Sequence, residues 1–271
     1  MIDILFLPFM QRALIAGFIL GALLSVLGVF IVLKKLSFLS DGIAHASLAG
    51  VAIGILTNFN PLLSALGFAV LFGSFLAWLE RKTKLSSDSI IGLLFTSGMA
   101  LGVVLISFKN GYQPELVSFL FGNILSLGNN DLLIMVIIAV LIISFIALVY
   151  KKLVLLLISQ DMAYIKQVPI KLFTTLLYIA VSVSVVLGVK LLGVILVSAL
   201  LITPVSTAKL FAKSFKQLVI WSVVIAEITI FIGLILSLLL NLPTGAIIVL
   251  TGITIFFIVL VSQKTKYLFI R

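Results

Sequence analysis

Long runs of apolar residues alternate along this chain with short polar connections. Most runs approach the roughly 20 residues that a helix needs to cross the hydrocarbon core of a bilayer. The pattern predicts an all-α polytopic membrane protein with about nine membrane-spanning helices, and eight as the smaller alternative. The predicted spans are about 13–33, 41–57, 61–79, 89–107, 131–150, 171–189, 191–207, 217–240 and 245–262.

The connections between these spans are too short to form a separate soluble domain, so residues 1–271 are predicted to be a single transmembrane domain. A further apolar piece, Glu115 to Leu125, is too short to cross the bilayer. It is predicted to be an interfacial or re-entrant helix on the external side. The first apolar run is interpreted as a retained span, because no basic region and small-residue cleavage site accompany it.

Composition agrees with a membrane protein, since 63% of the residues are hydrophobic and 10% are charged. The absence of cysteine excludes disulfides and thiolate metal sites. A net charge of +10 would suggest a nucleic-acid partner in a soluble protein. Here the basic residues lie in short connections between apolar runs, so lipid is the expected surrounding and nucleic acid is not an expected partner.

The basic residues in the connections predict the orientation. With the N-terminus outside and the C-terminus inside, only Arg12, Lys109 and Lys190 of the 18 basic residues lie externally. The positive-inside rule favours this arrangement. The other 15 are Lys34, Lys35, Arg81, Lys82, Lys84, Lys151, Lys152, Lys166, Lys171, Lys209, Lys213, Lys216, Lys264, Lys266 and Arg271.

Several predicted spans carry pairs of glycines one helical turn apart, and such pairs let helix backbones approach closely. This pattern predicts tight helix packing and does not by itself indicate a function. The pairs are Gly17 with Gly21, Gly50 with Gly54, and Gly98 with Gly102.

Six of the eight acidic residues fall in connections or at the ends of spans, which leaves Asp41 and Glu227 within the apolar runs, together with the only histidine, His45. Such groups are costly in a membrane and are functional candidates by default. Asp41 and His45 are four residues apart, which places them on one face of a helix. A carboxylate and an imidazole suit zinc, manganese or ferrous iron, and the lack of thiolates argues against copper(I). Two ligands are typical of a transient site in a conduction path.

Structural interpretations of the same residues remain open. Asp41 could cap the helix that begins there, while His45 donates a hydrogen bond between helices. Glu227 lies near the middle of its span, where it could be a metal ligand, a proton carrier or a structural hydrogen-bonding group. We favour the structural role for Glu227.

Five stretches of the chain together form a recognisable pattern. In order, they are RALIAG (12–17), LSFLSDGIAHASLAG (36–50), FLFGNIL (119–125), GVILVSALLITPVSTA (193–208) and LPTGA (242–246). They resemble the zinc, manganese and iron permeases of ABC importers, the ZnuB-like and manganese-permease group. The resemblance covers nearly the whole chain, and stretch 36–50 is the most specific.

The resemblance implies a type II-like ABC importer permease that forms a homodimer with an ion path near the dimer axis. It implies a cytoplasmic ABC ATPase dimer and an extracellular or periplasmic metal-binding protein as partners. Asp41 and His45 match the family's Asp/His pair along the ion path. Glu227 belongs to no family motif. No covalently bound cofactor is expected, only the transported zinc, manganese or iron ion.

The cytoplasmic segment SQDMAYIKQVP (159–169) resembles the family's coupling helix, which docks on the ATPase. The segment is polar and short, and Pro169 ends it. Gln167 stands where the family often has glycine, a departure at the predicted end of the helix. Within a coupling helix at about 160–169, the predicted ATPase-coupling residues are Gln160, Asp161, Met162, Ala163, Tyr164, Ile165 and Lys166.

The chain has no Gly-x-x-x-x-Gly-Lys-[Ser/Thr] motif, so it is not expected to hydrolyse ATP itself. The sequence predicts the permease subunit of an ATP-driven importer of divalent transition-metal ions in a bacterial cell membrane. One alternative is an ion-coupled secondary transporter of metal ions, with Glu227 and Asp41 as relay groups. Another is a non-transporting membrane scaffold. A membrane enzyme is disfavoured because the chain has no second histidine and no cysteine for a catalytic cluster.

Overall fold

The computed structural model describes residues 7–109 and 128–268 of the chain. Both ranges are helical, and neither contains a β-strand. The predicted interfacial helix at 115–125 lies outside the described residues. The helices are α1 (Pro8–Leu33), α2 (Leu39–Leu56), α3 (Pro61–Lys82), α4 (Ser87–Ser107), α5 (Asn129–Ile158), α6 (Gln160–Ile165), α7 (Ile170–Leu192), α8 (Val194–Lys209), α9 (Phe215–Leu240) and α10 (Thr244–Leu268).

Eight of these helices are long and apolar enough to cross a membrane. The exceptions in the described ranges are α6, which has 6 residues, and α8, which is apolar but has 16. Each of the nine predicted spans coincides with one apolar helix. The prediction of an all-α, multi-pass membrane protein with eight to nine spans is therefore confirmed.

A single residue, Gly193, separates α7 from α8. Its backbone has a φ of 84°, in the region that favours glycine, and its N–H still donates to the Val189 carbonyl at 2.9 Å. The chain can therefore end one helix and begin the next without an intervening loop. This explains why the hydropathy pattern shows two spans with almost no polar connection.

The end of α6 has a defined geometry at Gln167. The Val168 N–H donates to the Ala163 carbonyl and the Gln167 N–H to the Tyr164 carbonyl, both at 2.9 Å. This is a Schellman motif, in which the residue at the Gln167 position is left-handed. Gln167 has a φ of 53°, so the chain adopts here a turn that normally favours glycine.

The helices differ greatly in how much of their surface the protein itself covers. In an 18-residue apolar stretch of each helix, 78% of the residues are buried in α2, and 67% are buried in both α1 and α7. By contrast, only 17% are buried in α5 and 11% in α10, so most of the apolar surface of these two helices is left for lipid. The interior is thus built around α1, α2 and α7.

Glycines bring α4 into backbone contact with α2. A Cβ atom added at Gly98 would lie 2.8 Å from the Cα of Ala46, and one at Gly102 would lie 3.0 Å from the backbone nitrogen of Ala49. No larger residue fits at that separation without movement. The predicted tight packing is confirmed for this pair, and it sets α4 directly beside His45.

Polar contacts join helix ends that the topology prediction places on one face. At the predicted external face, Lys190 forms an ion pair with Asp131 at 2.7 Å. At the predicted cytoplasmic face, the Arg81 guanidinium donates to the Thr175 hydroxyl at 2.9 Å. The pairing of helix ends follows the predicted alternation, and the orientation of the whole bundle stays a prediction.

Candidate metal-binding site

The imidazole of His45 has one ring nitrogen engaged within its own helix. Nδ1 lies 2.9 Å from the backbone carbonyl oxygen of Asp41, one turn earlier in α2. A carbonyl only accepts hydrogen bonds, so Nδ1 carries the proton in neutral His45 and Nε2 keeps its lone pair. The helix thereby selects the tautomer in which Nε2 can bind a metal.

The carboxylate of Asp41 is held by a neighbouring helix. Its Oδ1 accepts a hydrogen bond from the Ser198 hydroxyl of α8 at 2.6 Å. Helix α2 begins at Leu39, and its N-cap is Phe38, which makes no side-chain capping bond. The structure therefore does not match the interpretation of Asp41 as the cap. In the first turn of α2, the negative charge is favourably placed relative to the helix dipole.

Asp41 and His45 open onto one cleft of about 430 Å³ between α2 and α4. The wall is mostly apolar and reaches the protein surface, where Phe38 is 69% exposed. The His45 ring packs edge-on against Phe95 with centroids 5.2 Å apart, which fixes its orientation. We call this space the α2–α4 cleft; it is lined by Phe38, Asp41, Gly42, His45, Asp88, Ile91, Gly92 and Phe95.

Two polar residues of this region were missed by reasoning from the sequence. Asp88 lies just before the predicted span 89–107, but it is the second residue of α4 and lines the cleft. Ser198 lies in the recognisable stretch 193–208, which was the only signal for it. The spacing of residues along one helix does not reveal either contact, because each depends on how two separate helices pack together.

The donor set fits a weakly held divalent cation. Asp41 offers a carboxylate oxygen and His45 offers Nε2, donors that zinc and manganese both accept. Among residues 7–109 and 128–268, no three or more His, Asp or Glu side chains converge on a closed metal site. The pair leaves most coordination positions open, as a transport site requires.

Glu227 lies outside this cleft. It is on α9, where its Oε1 faces Gly21 of α1 at 3.5 Å from the position a Cβ would occupy there. Its Oε2 is buried and has no hydrogen-bond partner among the described residues. The structure thus brings Asp41 and His45 together and leaves Glu227 apart from them.

The side chains of the predicted coupling segment divide into two groups. Ala163 is fully buried and anchors α6 to the bundle. Met162, Tyr164 and Ile165 are between 57% and 79% exposed, which is unusual for large apolar side chains on a helix of 6 residues. Asp161 and Lys166 are exposed as well.

Comparison with known proteins gives a match over nearly the whole chain. The profile of the ABC 3 transport family matches residues 6–263. The manganese transport system membrane protein MntC of Listeria monocytogenes is 33% identical, with 96% of this chain and 93% of that protein covered. The high-affinity zinc uptake system membrane protein ZnuB of Haemophilus influenzae is 28% identical, with coverage of 93% and 97%.

A solved structure shares the fold. A chain of PsaBC from Streptococcus pneumoniae, determined in complex with a Fab, superposes with a TM-score of 0.83 at 30% identity. The match covers 95% of this chain and 93% of that chain. The arrangement of helices described above is therefore shared along essentially the full length.

Proposed function

Because this chain belongs to the ABC 3 transport family, we propose that it is the membrane-spanning permease subunit of an ATP-driven importer of divalent transition-metal ions. The single observation that carries the proposal is the placement of the Asp41 carboxylate and the His45 imidazole on one cleft within the membrane-spanning bundle. A carboxylate and an imidazole that face one space are the kinds of ligand that divalent transition-metal ions bind.

The chemistry of the pair supports zinc, manganese or iron as the ion. Similar proteins are named for manganese transport and for zinc uptake. A carboxylate and one imidazole accept all of these metals, so the choice between them depends on geometry and supply. The transported ion is a substrate, and no resident cofactor is part of the proposal.

In this mechanism, Asp41 supplies the negative charge that compensates the ion for lost hydration. His45 supplies Nε2, held ready because Nδ1 is bonded to the Asp41 carbonyl. Ser198 fixes one carboxylate oxygen and leaves the other available to the ion. Since only two protein ligands act, the ion can leave when the cleft opens to the other side.

Energy for this cycle is proposed to come from partner subunits. The chain has no P-loop motif, so an ABC ATPase dimer in the cytoplasm would bind and hydrolyse ATP. The exposed Met162, Tyr164 and Ile165 offer an apolar contact surface for it. A second copy of the chain and an external metal-binding protein complete the proposed importer, in a bacterial plasma membrane.

The function is tested by metal uptake in cells that lack this chain. We expect accumulation of zinc, manganese or iron to fall and to return when the wild-type chain is supplied. Uptake should stop when cellular ATP is depleted and continue when the proton gradient alone is collapsed. Uptake that follows the proton gradient and ignores ATP would instead support a secondary transporter.

The ATPase contact is tested by co-purification. Asp161→Lys combined with Tyr164→Ala changes two exposed side chains of α6, so the bundle should stay intact while ATPase recovery falls. Leu85→Ala, at an exposed position in the α3–α4 turn, serves as the matched control. Equal ATPase recovery with both variants would show that α6 is not the docking segment.

A further inference from the structure

The carboxylate of Glu80 joins three parts of the bundle. Glu80 lies in the last turn of α3. Its Oε1 accepts from the hydroxyl of Ser87, the first residue of α4, at 2.8 Å. Its Oε2 accepts from the hydroxyl of Tyr178 on α7, also at 2.8 Å. Hydrogen bonds to an ionised carboxylate are among the stronger ones in proteins. We call this contact of Glu80 with Ser87 and Tyr178 the junction; it holds α4 and α7 at a fixed distance from the end of α3.

The junction is buried on the α7 side. Tyr178 is 1% exposed, and the Lys34 ammonium lies 4.8 Å above its ring and donates to its hydroxyl at 3.3 Å. Burial lowers the pKa of Lys34 below its ordinary value, and the nearby Glu80 carboxylate opposes that shift. A buried, connected polar network of this kind is costly to disrupt, so its members move together.

Helices α3 and α7 form one rigid pair beside the junction. A Cβ at Gly73 of α3 would lie 2.8 Å from the backbone nitrogen of Ile179, so the two backbones are in direct contact. At the end of α3, the Arg81 guanidinium donates to the Lys171 carbonyl at 3.3 Å and to the Thr175 hydroxyl at 2.9 Å. A displacement of the first turn of α7 must therefore carry the end of α3 with it.

The first turn of α7 is tied to the predicted ATPase-coupling segment. Helix α6 ends at Ile165 and α7 begins at Ile170. The chain between them is closed by the hydrogen bond from the Val168 N–H to the Ala163 carbonyl at 2.9 Å. With Ala163 buried, α6 has little freedom to move independently of α7.

On its other side, the junction meets the wall of the α2–α4 cleft. Ser87 is followed by Asp88, which lines the cleft, and the next turns of α4 supply Ile91, Gly92 and Phe95. Phe95 in turn contacts the His45 ring. The hydroxyl of Ser87 is not needed to start the helix, because the N-cap of α4 is Ser86, whose Oγ accepts from the Ser89 N–H.

We propose that Glu80 is a positioning residue that carries movement of the α6 segment to the α4 wall of the metal-binding cleft. The route runs from α6 to α7, through Tyr178 to Glu80, and through Ser87 to α4. It rests on the proposed function, because it assumes that an ATPase docks on α6. Coupling between two sites needs an element that both of them bias, and here that element is the joined end of α3, α4 and α7.

The absence of cysteine from the chain allows a direct test. Gly92 lines the cleft, and a Cβ there meets nothing within 4 Å, so Gly92→Cys introduces one thiol without crowding. Its alkylation by a water-soluble maleimide is measured in the complex with the ATPase, with and without a non-hydrolysable ATP analogue. We expect the nucleotide to change the rate about tenfold, a usual size for coupling between sites.

Tyr178→Phe and Ser87→Ala each remove one hydroxyl from the junction. In either background, the nucleotide-dependent change in alkylation should fall towards none. Binding of Mn²⁺ or Zn²⁺ to the purified complex should stay unchanged, because neither residue lines the cleft. Uptake should fall about tenfold while ATP hydrolysis continues. Since both variants act through Glu80, the double variant should lose less than the product of the two single effects.

Two variants serve as matched controls. Tyr150→Phe removes a hydroxyl on α5 that makes no hydrogen bond within the described ranges, while its ring packs on Phe215. Ser97→Ala removes a hydroxyl that donates only to the Leu94 carbonyl of its own helix. Both should keep the nucleotide-dependent alkylation of the parent protein.

The proposal would be overturned if the nucleotide changed the alkylation rate equally in the parent, Tyr178→Phe and Ser87→Ala proteins. It would also be overturned if the alkylation rate of the parent protein did not depend on nucleotide. A variant that misfolds would also lose metal binding. Ser87→Ala changes only a hydroxyl at the end of a helix, where the change is least expected to disturb folding. The alkylation readout needs no transport. Failure of all metal uptake by the wild-type chain, with the nucleotide effect on Gly92→Cys intact, would therefore count against the proposed function alone.

Discussion

Asp41 and Glu227 are both carboxylates in apolar helices, yet their surroundings differ. Asp41 faces a cleft of about 430 Å³, has His45 one turn away, and receives a hydrogen bond from Ser198. Glu227 packs against Gly21, and one of its oxygens is buried without a partner among the described residues. Two residues further along α9, Thr229 lines a cavity of only about 10 Å³.

We call the part of α9 from Glu227 to Thr229 the α9 region. The cleft has room for an ion and presents donors with spare coordination capacity, whereas Glu227 lines neither the cleft nor the small cavity at Thr229, which has space for about one water molecule. The comparison teaches that a carboxylate within a membrane span indicates a transport site only when a space for the ion accompanies it. It favours ion handling at Asp41 and a structural role at Glu227.

The largest effect is expected when the same change is made in both regions. Asp41→Asn keeps the size of the side chain and removes the charge that the ion needs, so metal uptake should fall by about 100-fold or more. Glu227→Gln, the matched change in the α9 region, should leave uptake per molecule close to wild type. Uptake is measured with radioactive or isotope-labelled metal and normalised to the amount of permease in the membrane. Normal uptake by Asp41→Asn would end the distinction between the two regions.

His45→Ala should also abolish uptake, because it removes Nε2 from the cleft. The protein should remain abundant and folded, since the half-buried ring borders an open space and its removal leaves no sealed void. Uptake and protein abundance are measured in the same membranes. Reduced abundance together with normal uptake per molecule would mean that His45 only packs against Phe95.

A smaller effect is expected from Ser198→Ala, which removes the hydrogen bond to Asp41 and leaves both metal ligands in place. Loss of such a supporting contact typically costs 10–100-fold, and we expect uptake to fall by about tenfold, mostly through weaker apparent affinity. Ser184→Ala is the control, because that buried hydroxyl donates only to the Ala180 carbonyl within α7. Equal uptake by the two variants would show that Asp41 needs no orientation by α8.

The smallest effect concerns Thr229 in the α9 region alone. The Thr229 hydroxyl is buried without a hydrogen-bond partner among the described residues, so Thr229→Val should stabilise the protein by about 1 kcal/mol. Thr251→Val removes a hydroxyl that does donate, to the Ile247 carbonyl at 2.8 Å, and should not stabilise it. The midpoint of thermal unfolding in detergent separates the two. A lower midpoint for Thr229→Val would indicate that a water molecule satisfies the hydroxyl.

Most of the architecture could be predicted from the sequence, because it follows from local rules. A run of apolar residues satisfies its backbone groups within its own helix, so each of the nine spans could be located from hydropathy alone. The spacing of Asp41 and His45 fixes them on one side of α2 in any arrangement of the bundle. The same rules identified the α6 segment from a short polar stretch that ends at Pro169.

The contacts of these residues were decided only by the tertiary structure. Ser198 is 157 residues away from Asp41 in the chain, and no helical period relates them. Asp88 enters the cleft because the close approach of α4 at Gly98 sets it beside α2. Gln167 keeps a left-handed turn that its residue type disfavours, since packing of Ala163 and two hydrogen bonds hold it there.

The sequence by itself therefore determined the membrane-spanning helices and one helical face that carries a carboxylate and an imidazole. The tertiary structure decided that this face opens onto a cleft, that Ser198 holds Asp41, and that Glu227 faces Gly21 outside that cleft. The physical reason is that helix formation and side-chain spacing depend on neighbours along the chain. Cavities and hydrogen bonds between helices depend instead on how closely separate surfaces fit together.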